Sequence, residues 1–271
     1  MNAKRSILLV GAGRMGSALL KGWIAKNLGP LLVVEPSPSA ALEQLAHAKK
    51  LELYAQIEEV APRRLSACVV AIKPQILKTE AQRLKPIADA GALIVSIAAG
   101  ASIKTLARAC GSKARVVRAM PNLPGAIGKG ITALYAPRRA RPVDRATAEL
   151  LLGALGKVVW VANEPLIDAV TAVSGSGPAY VFLLAEALAQ AARAEGLPKG
   201  LAETLARATV SGAGALLEAD RRSPGALRRD VTSPKGTTEA ALNILMANDA
   251  LAALVARAVA AARRRADELG S

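Results

Sequence analysis

The stretch Gly11-Ala12-Gly13-Arg14-Met15-Gly16 decides the fold. It directly follows the apolar run Ile7 to Val10 and opens a segment with helical spacing, Met15 to Lys26. A GxGxxG string carries meaning only in this strand-turn-helix setting. There Gly11 is expected to make the tight turn, Gly13 to let backbone approach a pyrophosphate, and Gly16 to let helix pack on strand. Ala12, Arg14 and Met15 complete the loop, whose free N–H groups at the helix start face an anion.

Working outward, short β-branched runs at Leu31 to Val34, Cys68 to Ile72, Leu93 to Ile97, Val116 to Ala119, Ile131 to Tyr135 and Val158 to Val161 alternate with helical patterns. Those patterns cover Ala40 to Lys50, Gln75 to Ala88, Ile103 to Ala109 and Asp144 to Leu155. The rhythm predicts βαβ units forming a doubly wound, largely parallel sheet over residues 1–163. After Val161 the strand signal stops. Three long segments, Gly177 to Glu195, Lys199 to Ala219 and Thr238 to Leu269, predict an all-α second domain, 164–271. Tyr180 to Ala192 holds only Glu186 and Gln190 as polar residues, more apolar surface than one helix face needs. About a hundred residues cover such a helix poorly alone, so a second copy is expected, a homodimer at least.

The 271-residue chain carries a formal charge of +15, which raises a nucleic-acid reading. The excess is confined to the first domain, with 24 Lys and Arg against 9 Asp and Glu up to Asn163, and 12 against 12 afterwards. The basic residues are scattered, and aromatic residues that could stack on bases make up 2%. A solvated Arg-rich surface that steers an anionic ligand is expected rather than a specific nucleic-acid partner. No uncharged run is expected to span a bilayer, and the start of the chain lacks the pattern of a cleaved leader, so a cytoplasmic location is expected. Cys68 and Cys110 have no CxxC spacing, which predicts neither a disulfide framework nor a metal site.

Glu35 falls 19 positions after Gly16, near the spacing at which a carboxylate holds the adenosine ribose hydroxyls. Pro36-Ser37-Pro38-Ser39 adds hydroxyls but no Arg for a 2′-phosphate. The expected cofactor is NADPH or NADH, with a lean to NADH; Arg14 could still reach a phosphate. Asp230-Val231-Thr232-Ser233-Pro234-Lys235-Gly236-Thr237-Thr238 precedes a strongly helical segment, so its hydroxyls and N–H groups suit a carboxylate, although Ser and Thr there also serve as plain caps.

Gly11 to Gly16, Ala71-Ile72-Lys73-Pro74, Ser96-Ile97-Ala98-Ala99-Gly100, Arg118-Ala119-Met120-Pro121-Asn122, Ser174-Gly175-Ser176-Gly177-Pro178-Ala179-Tyr180 and Asp230 to Thr238, taken in order, resemble pyrroline-5-carboxylate reductase over nearly the whole chain. The last three blocks are the specific ones. The resemblance implies a Rossmann-type first domain, a helical domain that interlocks two chains, and a ring of dimers as the larger assembly. It implies an active site in the cleft between domains, completed by the partner chain.

The resemblance also places Ala71, Lys73, Pro74, Ala98, Ala99, Gly100 and Asn122 with Glu35, Ser37 and Gln56 around the cofactor. It places Glu164, Ser174, Asp230, Val231, Ser233, Gly236 and Thr237 around the substrate. Thr238 is implied as the hydrogen-bond donor to the ring nitrogen and the catalytic residue. Lys73 before Pro74 is expected to act through its backbone. Three positions depart from the family pattern: Lys235 where a small residue is usual, Pro36 where Arg is frequent, and Gln56 where Asn is common.

The implied reaction is hydride transfer to a cyclic imine, which needs positioning more than a strong acid. The single His47, in a crossover helix, is expected to be a surface or packing residue. The alternatives are another dehydrogenase of similar layout, such as the β-hydroxyacid family, or a paralogue that binds dinucleotide without turnover. The first relies on an early helical Lys, and Gly177 to Glu195 has none. The second finds its support in Lys235.

Overall fold

The computed structural model describes residues 5–60 and 65–270. Residues 1–4, at the start read above for a leader, lie outside the described residues. By packing, the chain divides into two compact units, 1–176 with 262–271, and 177–261.

The first unit is built on eight strands: β1 (Ser6–Val10), β2 (Leu31–Val34), β3 (Glu52–Tyr54), β4 (Leu65–Val70), β5 (Leu93–Ser96), β6 (Arg115–Met120), β7 (Gly130–Tyr135) and β8 (Gly156–Trp160). Their spatial order is β3-β2-β1-β4-β5-β6-β7-β8. All neighbours pair parallel except β6 and β7. Alternation along each strand sends Leu9, Val33, Val69, Val95 and Val117 into one core, and Leu8, Leu32, Cys68, Ile94 and Val116 into another. Both faces are therefore covered, as a doubly wound sheet requires. Helices α1 (Arg14–Ala25), α2 (Ala40–His47), α3 (Pro74–Glu80), α4 (Lys85–Asp89), α5 (Ile103–Cys110) and α6 (Pro142–Leu152) supply the cover. Trp23 of α1 is fully buried and its indole N–H donates to the Leu151 carbonyl of α6, 2.8 Å away. Ser39 and Ser102 cap α2 and α5 through the amides of Leu42 and Thr105.

The expected strands are all present, and β3 is an addition: its three residues pair only along one edge of the sheet. The helix expected over Gln75 to Ala88 is broken by a 3-10 turn at Ala81–Leu84, with Pro86 next to it. α7 (Pro165–Val170) and the π-helical turn Thr171–Gly175 continue the first unit past the boundary expected at 163. Arg118 of β6 pairs with Asp168 of α7, and Ile167 and Ala172 are buried.

The second unit contains α8 (Gly177–Ala194), α9 (Lys199–Ala219), α10 (Pro224–Asp230), α11 (Thr237–Met246) and the first part of α12 (Ala250–Gly270). The single helix expected from Thr238 to Leu269 is interrupted, because Asn248 and Asp249 take φ of 50° and 56°. Phe182, Leu183 and Leu184 of α8 are 54%, 63% and 52% exposed, and on α9 Ala202 and Ala206 are the buried residues. A helical unit that leaves its largest apolar side chains uncovered has no core of its own size.

Pro165–Ala194 and Thr237–Leu269 are long and apolar enough to cross a bilayer by length and composition, with mean hydropathy 1.3 and 1.6. The widely spaced charges, with none between Asp168 and Glu186, produce this property.

Candidate active site

The glycine turn is shaped by what each glycine excludes. Gly11 has φ of 91°, and a Cβ there would lie 2.8 Å from Ile72 Cγ2 and 2.9 Å from the Ala71 carbonyl oxygen. A Cβ on Gly16 would lie 2.1 Å from the Gly11 carbonyl oxygen. Both glycines are thus explained by close backbone packing inside the protein. Gly13 is different: a Cβ there meets no atom within 4 Å. Its missing side chain leaves open the approach to the backbone at the start of α1, where unpaired N–H groups favour a negative charge.

That approach opens into a cleft of about 560 Å³ lined by Gly11, Gly13, Glu35, Ser37, Gln56, Ala71 and Lys73 from the expected set. Glu35, at the end of β2, accepts from the Ala12 amide through Oε2 at 2.8 Å and from the Ser37 amide through Oε1 at 3.2 Å. Its carboxylate is therefore fixed to the turn. Ile57, Ile76 and Leu84 give the cleft an apolar wall, and Arg83 also lines it. Arg83 is engaged: its Nε donates to Glu58 at 2.6 Å and its Nη1 to Glu80. The hydrogen bond from Arg83 holds the Glu58 carboxyl below its ordinary range. Sequence reasoning missed these lining residues, which come from the segment after β4 and the turn before it. The available signal was the apolar spacing of Ile76 and Leu84 beyond a strand end.

Ala12, Arg14, Met15, Gly16, Pro74, Ala98, Ala99, Gly100 and Asn122 do not line that cleft. Arg14 opens α1 with its side chain exposed, Met15 packs on the core, and Pro74 starts α3. Ala98 to Gly100 follow β5, where the Ala98 amide donates to Ser96 Oγ at 3.3 Å. Asn122 follows β6, and its side-chain oxygen accepts from the Ile131 amide at 2.9 Å. Glu164 precedes α7, and its Oε1 accepts from the Ile103 amide at 2.7 Å. Ser174 lies in the π-helical turn and donates to the Val170 carbonyl at 3.2 Å.

In the second unit, Asp230 ends α10 and pairs with Arg222 at 2.8 Å. Val231 is 64% exposed. Gly236 is the N-cap of α11 and receives no help from a side chain. Thr232 donates to the Arg228 carbonyl, and the Lys235 amide donates to Glu239 at 2.7 Å. The hydroxyls of Ser233, Thr237 and Thr238 carry no hydrogen bond among the described residues. The first N–H groups of this ten-residue helix have no intrahelical partner, and the three hydroxyls lie beside them in sequence. Lys235 adopts φ of 58°, the left-handed region that favours glycine.

Strand order, glycine turn and the carboxylate ending β2 define a Rossmann-type dinucleotide-binding domain of the oxidoreductase class. Residues 6–100 match the family described as NADP oxidoreductase coenzyme F420-dependent, and residues 164–269 match pyrroline-5-carboxylate reductase dimerisation. The chain is 39% identical to pyrroline-5-carboxylate reductase of Pseudomonas aeruginosa over 97% of its own length and 96% of the relative's. A solved pyrroline-5-carboxylate reductase from Coxiella burnetii superposes with a TM-score of 0.90 at 34% identity, covering 99% of both chains. The Plasmodium falciparum pyrroline carboxylate reductase with NADP bound gives a TM-score of 0.84 at 28% identity, again over 99% of both. The chain belongs to the pyrroline-5-carboxylate reductase family.

Proposed function

We propose that this chain reduces pyrroline-5-carboxylate to L-proline with hydride from NADPH or NADH. The observation that carries the reading is the start of α11, where Ser233, Thr237 and Thr238 bring three hydroxyls beside the helix's first N–H groups. A small carboxylate matches that donor set in charge and size. Gly236, Asp230 and Val231 shape the loop; membership of the family makes Glu164 and Ser174 further substrate contacts. Thr238 orients the ring nitrogen: its hydroxyl oxygen accepts from the N–H of the protonated imine, and its O–H can donate to the amine lone pair that forms as hydride reaches carbon. Its hydroxyl is too weak an acid to protonate the ring unaided, so the imine enters protonated and accepts hydride at carbon.

The bound cofactor supplies that hydride from C4 of its nicotinamide. Gly11 to Gly16 hold the pyrophosphate, and Glu35, Ser37 and Gln56 hold the adenosine end. Ala71, Lys73, Pro74, Ala98 to Gly100 and Asn122 border the reactive end. We favour NADH: the fixed Glu35 carboxylate repels a 2′-phosphate, and Arg83 is already engaged by Glu58 and Glu80.

The exposed apolar face of α8 and α9 seats a second copy of the chain, giving a homodimer at least and a ring of dimers as the larger assembly. The protein works in the cytoplasm, with no specific nucleic-acid or membrane partner. Lys235 remains the one feature of the loop on the side of a silent paralogue, and the relatives named above are reductases of this imino acid. The test is Thr238→Ala with pyrroline-5-carboxylate. Loss of one transition-state hydrogen bond lowers kcat by about 10- to 100-fold while the cofactor still binds. Unchanged catalytic efficiency would remove Thr238 from the mechanism.

A further inference from the structure

Arg118 lies near the end of β6 and is 3% exposed. Its strand neighbours in register are Ser96 of β5 and Tyr135 of β7. Its Nη2 lies 2.6 Å from Asp168 Oδ1 and its Nη1 3.4 Å from Glu164 Oε1. The same Glu164 oxygen accepts from the Ile103 amide at 2.7 Å, the first residue of α5. Glu164 and Asp168 sit four residues apart at the start of α7, so one guanidinium ties β6, α5 and α7 together.

We propose that Arg118 is a positioning residue for hydride transfer, which acts through Glu164 to set the shape of the turn between β5 and α5, residues 97–102. The proposal rests on the reductase reading. The turn is pinned at its first end by the Ile97 amide, which donates to the Val70 carbonyl at 3.0 Å. Its far end is the Ile103 amide, and what holds that amide is the carboxylate that Arg118 holds in turn. In an open α/β sheet, turns leaving the carboxyl ends of parallel strands border the ligand. A displacement of about 1 Å there is enough to reduce a rate strongly without abolishing binding.

Stability alone gives no reason for a guanidinium in this place. A buried ion pair is often matched or bettered by apolar residues of similar volume. Arg118 also leaves its Nε buried with no partner among the described residues, which adds a desolvation cost. The device makes sense where geometry at the strand end matters more than the energy of the core. The Glu164 carboxylate also faces the N-terminus of α5, whose dipole favours a negative charge there.

The experiment compares Arg118→Lys, Glu164→Gln and Asp168→Asn in the full-length chain, each a near-isosteric or charge-keeping change chosen to preserve folding. Three quantities are read: kcat at saturating imino acid, the cofactor dissociation constant, and hydrogen exchange of the Ile103 amide. Arg118→Lys should lower kcat by about tenfold or more, with the cofactor constant moved less than about threefold, because the adenosine end is untouched. Exchange at Ile103 should speed up by about tenfold in Arg118→Lys and Glu164→Gln, and less in Asp168→Asn, which keeps the link from Arg118 to Glu164. If exchange at Ile103 is unaltered in all three, or kcat stays within about twofold while exchange rises, the proposal is overturned. Absence of turnover in the unaltered chain overturns instead the reductase reading beneath it.

Discussion

Glu35 Oε2 accepts from the backbone amide of Ala12 at 2.8 Å, so the carboxylate that ends β2 is held against the glycine turn rather than free to swing away. A second amide, of Ser37, holds the other oxygen. A charge fixed in this way discriminates between cofactors that differ by a phosphate. Glu35→Ser should raise kcat/KM with NADPH relative to NADH by about tenfold or more, since removing a close like charge is worth about 1.4 kcal/mol or more. Initial rates with both cofactors read the ratio directly.

Gly13 and Gly16 belong to one motif, yet their replacement should have opposite consequences. Gly16→Ala places a Cβ 2.1 Å from the Gly11 carbonyl, so it should destabilise the fold by about 3 kcal/mol. Gly13→Ala meets nothing within 4 Å and should leave stability within about 0.5 kcal/mol while weakening cofactor binding about tenfold. Urea unfolding and nucleotide titration on the same two variants separate the effects.

The uncovered face of α8 should make the second unit dependent on a second chain. Leu183→Asp places a charge at a position 63% exposed in the single chain, so a monomer would tolerate it. In a dimer it should shift the protein towards monomer in sedimentation equilibrium and lower Tm. The unaltered chain should show a Tm that rises with protein concentration.

Much of the fold was legible because it rests on repeated local signals. Leu8 and Leu9 point to opposite cores, and every buried strand of the first unit repeats that two-sided apolar run, which sequence alone displays. β3 was not legible: Glu52, Leu53 and Tyr54 form an edge strand too short for a pattern. The tie from Arg118 to Asp168 was not legible, because it spans fifty residues and leaves no local trace. Gly11 and Glu35 of the cleft announced themselves by motif and spacing, whereas Thr238 was reached only through the family resemblance. Arg83 did not, because its place in the cleft depends on how the segment after β4 folds back towards Glu58.

Cys68 and Cys110 are free, buried thiols. Burial pushes Cys110 up to about 11 and Cys68 further in the same direction. Because the folded protein holds the proton more tightly than the unfolded chain, this contribution is present in full below the ordinary thiol value of 9.0 and is lost as pH rises from there towards about 11. Urea midpoints should fall across that window, and the fall should be shallower in the Cys68→Ala variant. Thiol reagents should label neither residue in the native protein at neutral pH.

Lys235 holds φ of 58° in the loop before α11. Lys235→Gly should relieve a left-handed conformation worth about 1 kcal/mol, offset in part by the greater freedom of glycine in the unfolded chain. Thermal unfolding should show an equal or higher Tm with no change in secondary structure. A clear drop in Tm would mean that the lysine side chain contributes more than its backbone costs.

The central claim is tested most directly by initial rates of the purified, unaltered chain with pyrroline-5-carboxylate and each nicotinamide cofactor in turn. Cofactor oxidation should depend on the imino acid, with proline formed in equal amount and a higher kcat/KM with NADH. Binding of either cofactor without any turnover of the imino acid would contradict it.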